Sequence, residues 1–190
     1  MTAALPDTFW MPRDPARSAE SQVREWLAAH TGIDAADLPL VRDAHDRPRL
    51  TGPLAGHDIN WSHSGDGLLL AFGSGMALGV DMEWPRGGRN VAGIARRYFT
   101  AGEQVWLAAQ ADDASRVHAF HRLWCAKEAV LKAHGHGLSF GLDRVQFIEL
   151  DGVLQLDRAH DALGDADAWQ LREWSPAPGY LAALAWRTSK

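Results

Sequence analysis

The chain has 190 residues, 46% of them hydrophobic and 23% charged, and a net charge of −5. A composition of this kind excludes a disordered chain, and the acidic balance argues against nonspecific nucleic-acid binding by the whole surface. Cys125 is the only cysteine, which excludes an intrachain disulfide and a cysteine-based zinc site.

The stretch MTAALPDTFWMPRDPAR lacks the apolar core of a signal peptide, and no apolar run reaches membrane-spanning length. A soluble cytoplasmic protein is the expectation. Residues 1–16, with three prolines, predict an irregular or edge-strand lead-in. Ser18 to His30 predicts a helix, with Ser18 as N-cap and Val23, Trp26 and Leu27 on one face. The polar run VRDAHDRPRLTGPLAG, 41–56, is expected to be loop. HDINWSH and GLLLAFGS predict two strands joined at Ser64-Gly65-Asp66-Gly67, and MALGVDMEW a third. Short helices are expected at 91–98 and 101–111. A long one runs from about Ser115 to His134, with Gly135 at its left-handed C-cap. QFIEL-DG-VLQLD predicts a hairpin because Asp-Gly suits a type I′ turn, and AWQLREW with YLAALAW predicts another. Helices mixed with antiparallel hairpins place the chain in the α+β class.

Two segments carry chemistry. In the strand GVDMEW, Asp81 and Glu83 share one face while Val80 and Met82 enter the other layer. Adjacent carboxylates repel unless a cation or proton lies between them, and oxygen-only ligation suits magnesium. On the long helix, WCAKEAVLKAHGHG places Lys127 within the apolar stripe, Glu128 at its edge and Lys132 one turn further on. A bland alternative exists for each: a solvated strand face for the carboxylates, and for Glu128 and Lys132 an i,i+4 ion pair worth about 0.2–0.5 kcal/mol.

In this order, NWSHSGDG (60–67), GVDMEW (79–84), RRYFTAGE (96–103) and WCAKEAVLKAHGHGL (124–138) resemble the 4′-phosphopantetheinyl transferases of the single-chain surfactin-synthetase type, over roughly residues 13–186. The resemblance implies magnesium-dependent transfer of the phosphopantetheine arm from coenzyme A to a serine of an acyl or peptidyl carrier protein, with manganese as a second option for the metal. It also implies a pseudo-twofold α+β fold whose halves, 1–76 and 77–190, meet at the site, with the coenzyme A nucleotide contacts in the first half and the metal site in the second. A chain holding both halves is expected to be a monomer, with no nucleic-acid or membrane partner.

Residue by residue, the resemblance implies a metal at Asp81, Glu83 and Glu128, with Asp81 also among the coenzyme A contacts. Lys132 matches the lysine that neutralises the pyrophosphate. Arg47, before a proline, and Arg17 match basic residues at the nucleotide end, and Ser62-His63 matches a Ser-His whose histidine meets a phosphate. Lys127 is either a phosphate contact or a packing stem. Glu103 matches the glutamate proposed to deprotonate the carrier serine, yet Thr100-x-x-Glu103 is also a capping box, and both roles stay open. Arg13 and Arg49 are read as solvated reserves. Cys125 is expected to be inert, and His134 and His136 lack a third zinc ligand at matching spacing. Arg86, Arg89, Arg96 and Arg97 form a basic run expected to steer an acidic carrier. Two further classes remain beside the transferase: a metal-dependent phosphodiesterase and a noncatalytic carrier-binding module.

Overall fold

The computed structural model describes residues 5–85 and 90–188. Strand β1 (Asp7–Pro12) is an edge strand, followed by helix α1 (Ala19–Thr31). Ser18 caps α1 by accepting the Ser21 N–H, as its sequence predicts. The segment expected to be loop instead contains a small ladder, β2 (Leu40–Arg42) against β3 (Pro48–Leu50). Its turn is made by Asp43, whose carboxylate accepts the N–H groups of His45 and Arg47, and by Asp46 at φ 60°. Side-chain acceptors thus supply what apolar alternation could not signal.

Strands β4 (His57–Ser64) and β5 (Gly67–Ser74) form the expected hairpin and join β1 in the order β1-β5-β4. Gly75, at φ +68°, turns the chain directly into β6 (Met76–Glu83). Helices α2 (Val91–Tyr98), α3 (Ala101–Ala108) and α4 (Asp113–His134) follow. Gly135 ends α4 in the left-handed region, where its N–H reaches Leu131 O. The hairpin β7 (Val145–Leu150) and β8 (Val153–Ala159) turns on Asp151 and Gly152, both at positive φ. Strands β9 (Gln170–Trp174) and β10 (Leu181–Thr188) complete a second antiparallel sheet, β6-β10-β9. The α+β expectation holds. Among the described residues, no helix is long and apolar enough to cross a membrane.

Alternation along the strands sorts the core into layers. Leu68, Leu70 and Phe72 of β5 face Val23 and Leu27 of α1. Leu69 and Ala71, on the opposite face, meet Leu78, Val80 and Met82 of β6 and Leu184 of β10. Ala183 and Ala185 then turn outward to the core around α4, with Ala126, Ala129 and Val130. The layers run α1, first sheet, second sheet, α4. Val80 and Met82 enter the intersheet layer, so Asp81 and Glu83 are left facing α4.

The two sheets also meet edge to edge, and there side chains take the place of a main-chain ladder. Asp58 accepts Leu78 N–H and Asn60 accepts Val80 N–H, each at 2.9 Å. Ser62 donates to Asp81 at 2.7 Å, while Ser64 accepts Trp84 N–H at 3.0 Å. Residue numbers rise together on both strands, so β4 and β6 run in the same direction along this seam.

Candidate functional site

The site forms where α4 crosses β6, and Gly79 permits that crossing. A Cβ on Gly79 would lie 2.2 Å from Ala129 O and 2.4 Å from Ala133 N, both main-chain atoms of α4. Only a residue without a side chain lets the helix approach this closely. The approach lays Glu128 and Lys132 over the face that carries Asp81 and Glu83.

Lys132 Nζ donates to Asp81 Oδ1 at 2.7 Å and to Val80 O at 3.1 Å. Burial opposes its charge, but Asp81 and Glu128 more than offset that and hold the ammonium above its ordinary range. Asp81, 5% exposed, receives Ser62 Oγ on the same Oδ1, while its buried Oδ2 has no hydrogen-bond partner. Glu128, 8% exposed, is pushed up to about 7, first by burial and then by Asp81, with Glu83 adding to it and Lys132 opposing. Glu83 Oε2 accepts Ser64 Oγ at 3.1 Å. The carboxylates therefore share one field, which a cation would relieve.

No ready-made cage exists: among the described residues, no three His, Cys, Asp or Glu side chains converge closely enough to hold a metal ion. The donor chemistry nevertheless fits a hard cation. A buried oxygen of Asp81 lacks a partner, and the Glu128 carboxyl is raised first by burial and then by Asp81 and Glu83. Cys125 adds no nucleophile. Burial, followed by Asp81 and Glu83, raises its thiol well above the ordinary range, and it faces Leu181 O at 3.7 Å.

His63 is exposed beside this cluster, and its pKa is lowered by desolvation and then by Arg13 and Lys132. Arg13, expected to be solvated, is half-buried, and its Nε is buried with no partner. Its main-chain N–H holds the β4–β5 turn at Asp66 O, 2.8 Å away. Three cationic or protonatable groups from β4, α4 and the end of β1 thus face one region. Nothing local in the sequence marked Arg13, because the hairpin and α4 that give it company are distant in the chain.

Other expected residues lie elsewhere. Arg17 is at the surface, paired with Glu25. Arg47, 4% exposed, is paired with Asp58 at 2.5 Å and donates to Leu78 O at 2.8 Å. In this position it ties β3 to the seam, while its Nε and Nη1 are buried without a hydrogen-bond partner. Lys127 is fully buried, 2.8 Å from Glu103, and donates to the carbonyls of Leu142 and Val145. Burial lowers its pKa while Glu103 works against that. Its three donors are engaged inside the protein.

Glu103 is engaged internally in the same way. The capping box with Thr100 is present, and both carboxylate oxygens are engaged. Oε2 accepts Thr100 N–H at 2.9 Å and meets Lys127, and Oε1 accepts Phe147 N–H at 2.9 Å. At 1% exposure it is enclosed by its own helix α3, by α4 through Lys127 and by β7 through Phe147. Arg96 and Arg97 are exposed at the end of α2, and Arg86 and Arg89 lie outside the described residues.

A profile described as the 4′-phosphopantetheinyl transferase superfamily matches residues 77–185, more than half of the chain. The chain belongs to that superfamily. It is 31% identical over 162 residues to a phosphopantetheinyl transferase of Thraustochytrium sp., covering 78% of this chain and 56% of that protein. It is 27% identical over 186 residues to the 4′-phosphopantetheinyl transferase HetI of Nostoc sp., covering 96% of this chain and 75% of that one. The chain therefore spans little more than half the length of the first relative and three quarters of the second. A crystal structure of Thermotoga maritima holo-[acyl-carrier-protein] synthase aligns over 60% of this chain and 64% of its own, at 20% identity and a TM-score of 0.49. That weaker likeness carries no argument about the site. The superfamily profile covers Asp81, Glu83, Glu103, Glu128 and Lys132, whereas Arg13 and His63 lie before it.

Proposed function

We propose that the chain transfers the 4′-phosphopantetheine arm of coenzyme A to a serine of an acyl or peptidyl carrier protein, with the aid of magnesium. The observation that carries this reading is the Lys132–Asp81–Glu128 cluster, in which one cation sits among carboxylates that retain an unpartnered oxygen. In the reaction, the serine oxygen forms a bond to the phosphorus bearing the pantetheine, and the bond from that phosphorus to the bridging oxygen breaks. Adenosine 3′,5′-bisphosphate leaves, and the serine proton is released.

A divalent ion held by Asp81, Glu83 and Glu128 would supply neutralisation of the pyrophosphate. Lys132 would meet the charge that builds on the departing phosphate, and its bond to Asp81 supports this reading because little reorganisation is then needed. His63 and Arg13 add donors for the same anion from the first sheet. Glu103 and Lys127 act from inside, fixing the start of α3 and the rotation of α4, so that Glu128 keeps its aim.

The carrier surface is expected beside α2. Arg96 lines a cavity of about 400 Å³ with Val91, Ala95, Leu107 and Phe120, an apolar hollow with a basic rim. An acidic helix presenting an apolar side chain matches that chemistry, and steering by the rim weakens with salt.

The test is the mass of an apo carrier protein incubated with the chain, coenzyme A and magnesium. A gain equal to one phosphopantetheine supports the reading. Hydrolysis of coenzyme A without carrier modification would place the chain among phosphodiesterases. Carrier binding without either reaction would leave a binding module.

A further inference from the structure

The seam between the sheets ends at a group that the transfer chemistry above does not use, the hydroxyl of Ser64. It makes two bonds at once, donating to Glu83 Oε2 at 3.1 Å and accepting Trp84 N–H at 3.0 Å. Its own position is fixed by the hairpin. Ser64 pairs with Gly67, and the intervening turn is held by Arg13 N–H on Asp66 O. Gly67 is itself confined, since a Cβ there would lie 2.8 Å from Trp10 Nε1. A rigid point on the first sheet thus grips both the side chain of the last residue of β6 and the amide after it. Glu83 is half-buried at the end of β6, within reach of this point.

We propose that Ser64 is a positioning residue for the divalent ion: its hydroxyl selects the Glu83 rotamer that faces Asp81 and Glu128, and so sets the affinity of the site for the ion. This rests on the metal reading given above. Groups that orient a ligating carboxylate change metal affinity by roughly 10- to 100-fold when removed. A single neutral hydroxyl belongs at the low end.

The probe is manganese(II), with the free ion followed by electron paramagnetic resonance, coenzyme A present, and no carrier needed. Ser64→Ala should weaken binding roughly tenfold, and Ser64→Thr should stay within about twofold of wild type. Ser64→Val provides a second comparison with Ser64→Thr, because the two share a shape and differ in the hydroxyl, so a packing defect in the alanine variant does not decide the outcome. Ser64→Ala should add nothing in a Glu83→Gln background, since its effect passes through that carboxylate. In transfer assays the metal concentration for half-activation should rise while kcat at saturating metal stays near wild type.

Equal manganese binding by wild type and both hydroxyl-free variants overturns the proposal alone, as does full additivity with Glu83→Gln. A wild-type chain that binds no manganese(II) overturns the metal reading and this proposal together.

Discussion

Glu128→Gln should make the ligand-free protein more stable at alkaline pH, although it removes a charge from beside a lysine. The Glu128 carboxyl lies at about 7 against an ordinary 4.5, raised by burial and then by Asp81 and Glu83, with Lys132 opposing. The folded protein therefore holds this proton more tightly than the unfolded chain does. Between those two values the native state binds more protons, so stability falls as pH rises through the window and the loss is complete above pH 7. At about 1.4 kcal/mol per tenfold change in proton affinity, the full loss is about 3 kcal/mol. Glutamine imitates the protonated acid and escapes it. For a chain of this length that is roughly 6–12 °C in Tm at pH 8, with little difference near pH 4.5. Thermal melts by circular dichroism, in chelator, at both pH values provide the assay. Magnesium with coenzyme A should then raise the wild-type Tm at pH 8 and leave the variant nearly unmoved, because only a ligand bound to the native state stabilises it. A variant no more stable than wild type at pH 8 would refute the reasoning, since it would mean that Lys132 already balances the cluster.

Lys132→Ala should lower kcat by roughly a hundredfold and raise the KM for coenzyme A, because a donor aimed at developing charge is lost; steady-state kinetics with unchanged constants would remove it from the site. Glu103→Gln should act chiefly on folding, costing about 3–5 kcal/mol in urea unfolding by leaving the Lys127 charge buried without its partner. A stable Glu103→Gln protein that has lost only turnover would favour the base role. Arg96→Glu with Arg97→Glu should raise the KM for the carrier with little change for coenzyme A, and the wild-type advantage should shrink as salt is added; equal damage to both constants would defeat the docking surface.

What the chain revealed in advance was local. The Thr100-x-x-Glu103 cap, the Asp151-Gly152 turn and the Gly135 stop each depend on neighbours within a few residues, and each is present. The face shared by Asp81 and Glu83 followed from strand alternation alone. Glu103 shows where such reasoning stops. Its capping bond is local, but the Lys127 ammonium and the Phe147 amide that close over it come from α4 and β7, far along the chain. Arg47 and Arg13 exchanged fates for the same reason. One was drawn inside by Asp58 across the seam, and the other was brought beside His63 and Lys132 by the packing of β1 on β5. The β2–β3 ladder was hidden because its turn depends on Asp43 accepting amides rather than on apolar alternation.

The parallel run of β4 beside β6 has an evolutionary consequence. Main-chain pairing is indifferent to residue identity, so a seam built that way can be changed only by shifting whole strands. Here the register is written in Asp58, Asn60, Ser62 and Ser64, each reachable by a single codon change. The register between the sheets is therefore open to selection one residue at a time. Altering that short row of polar side chains would shift one sheet against the other and leave both cores untouched.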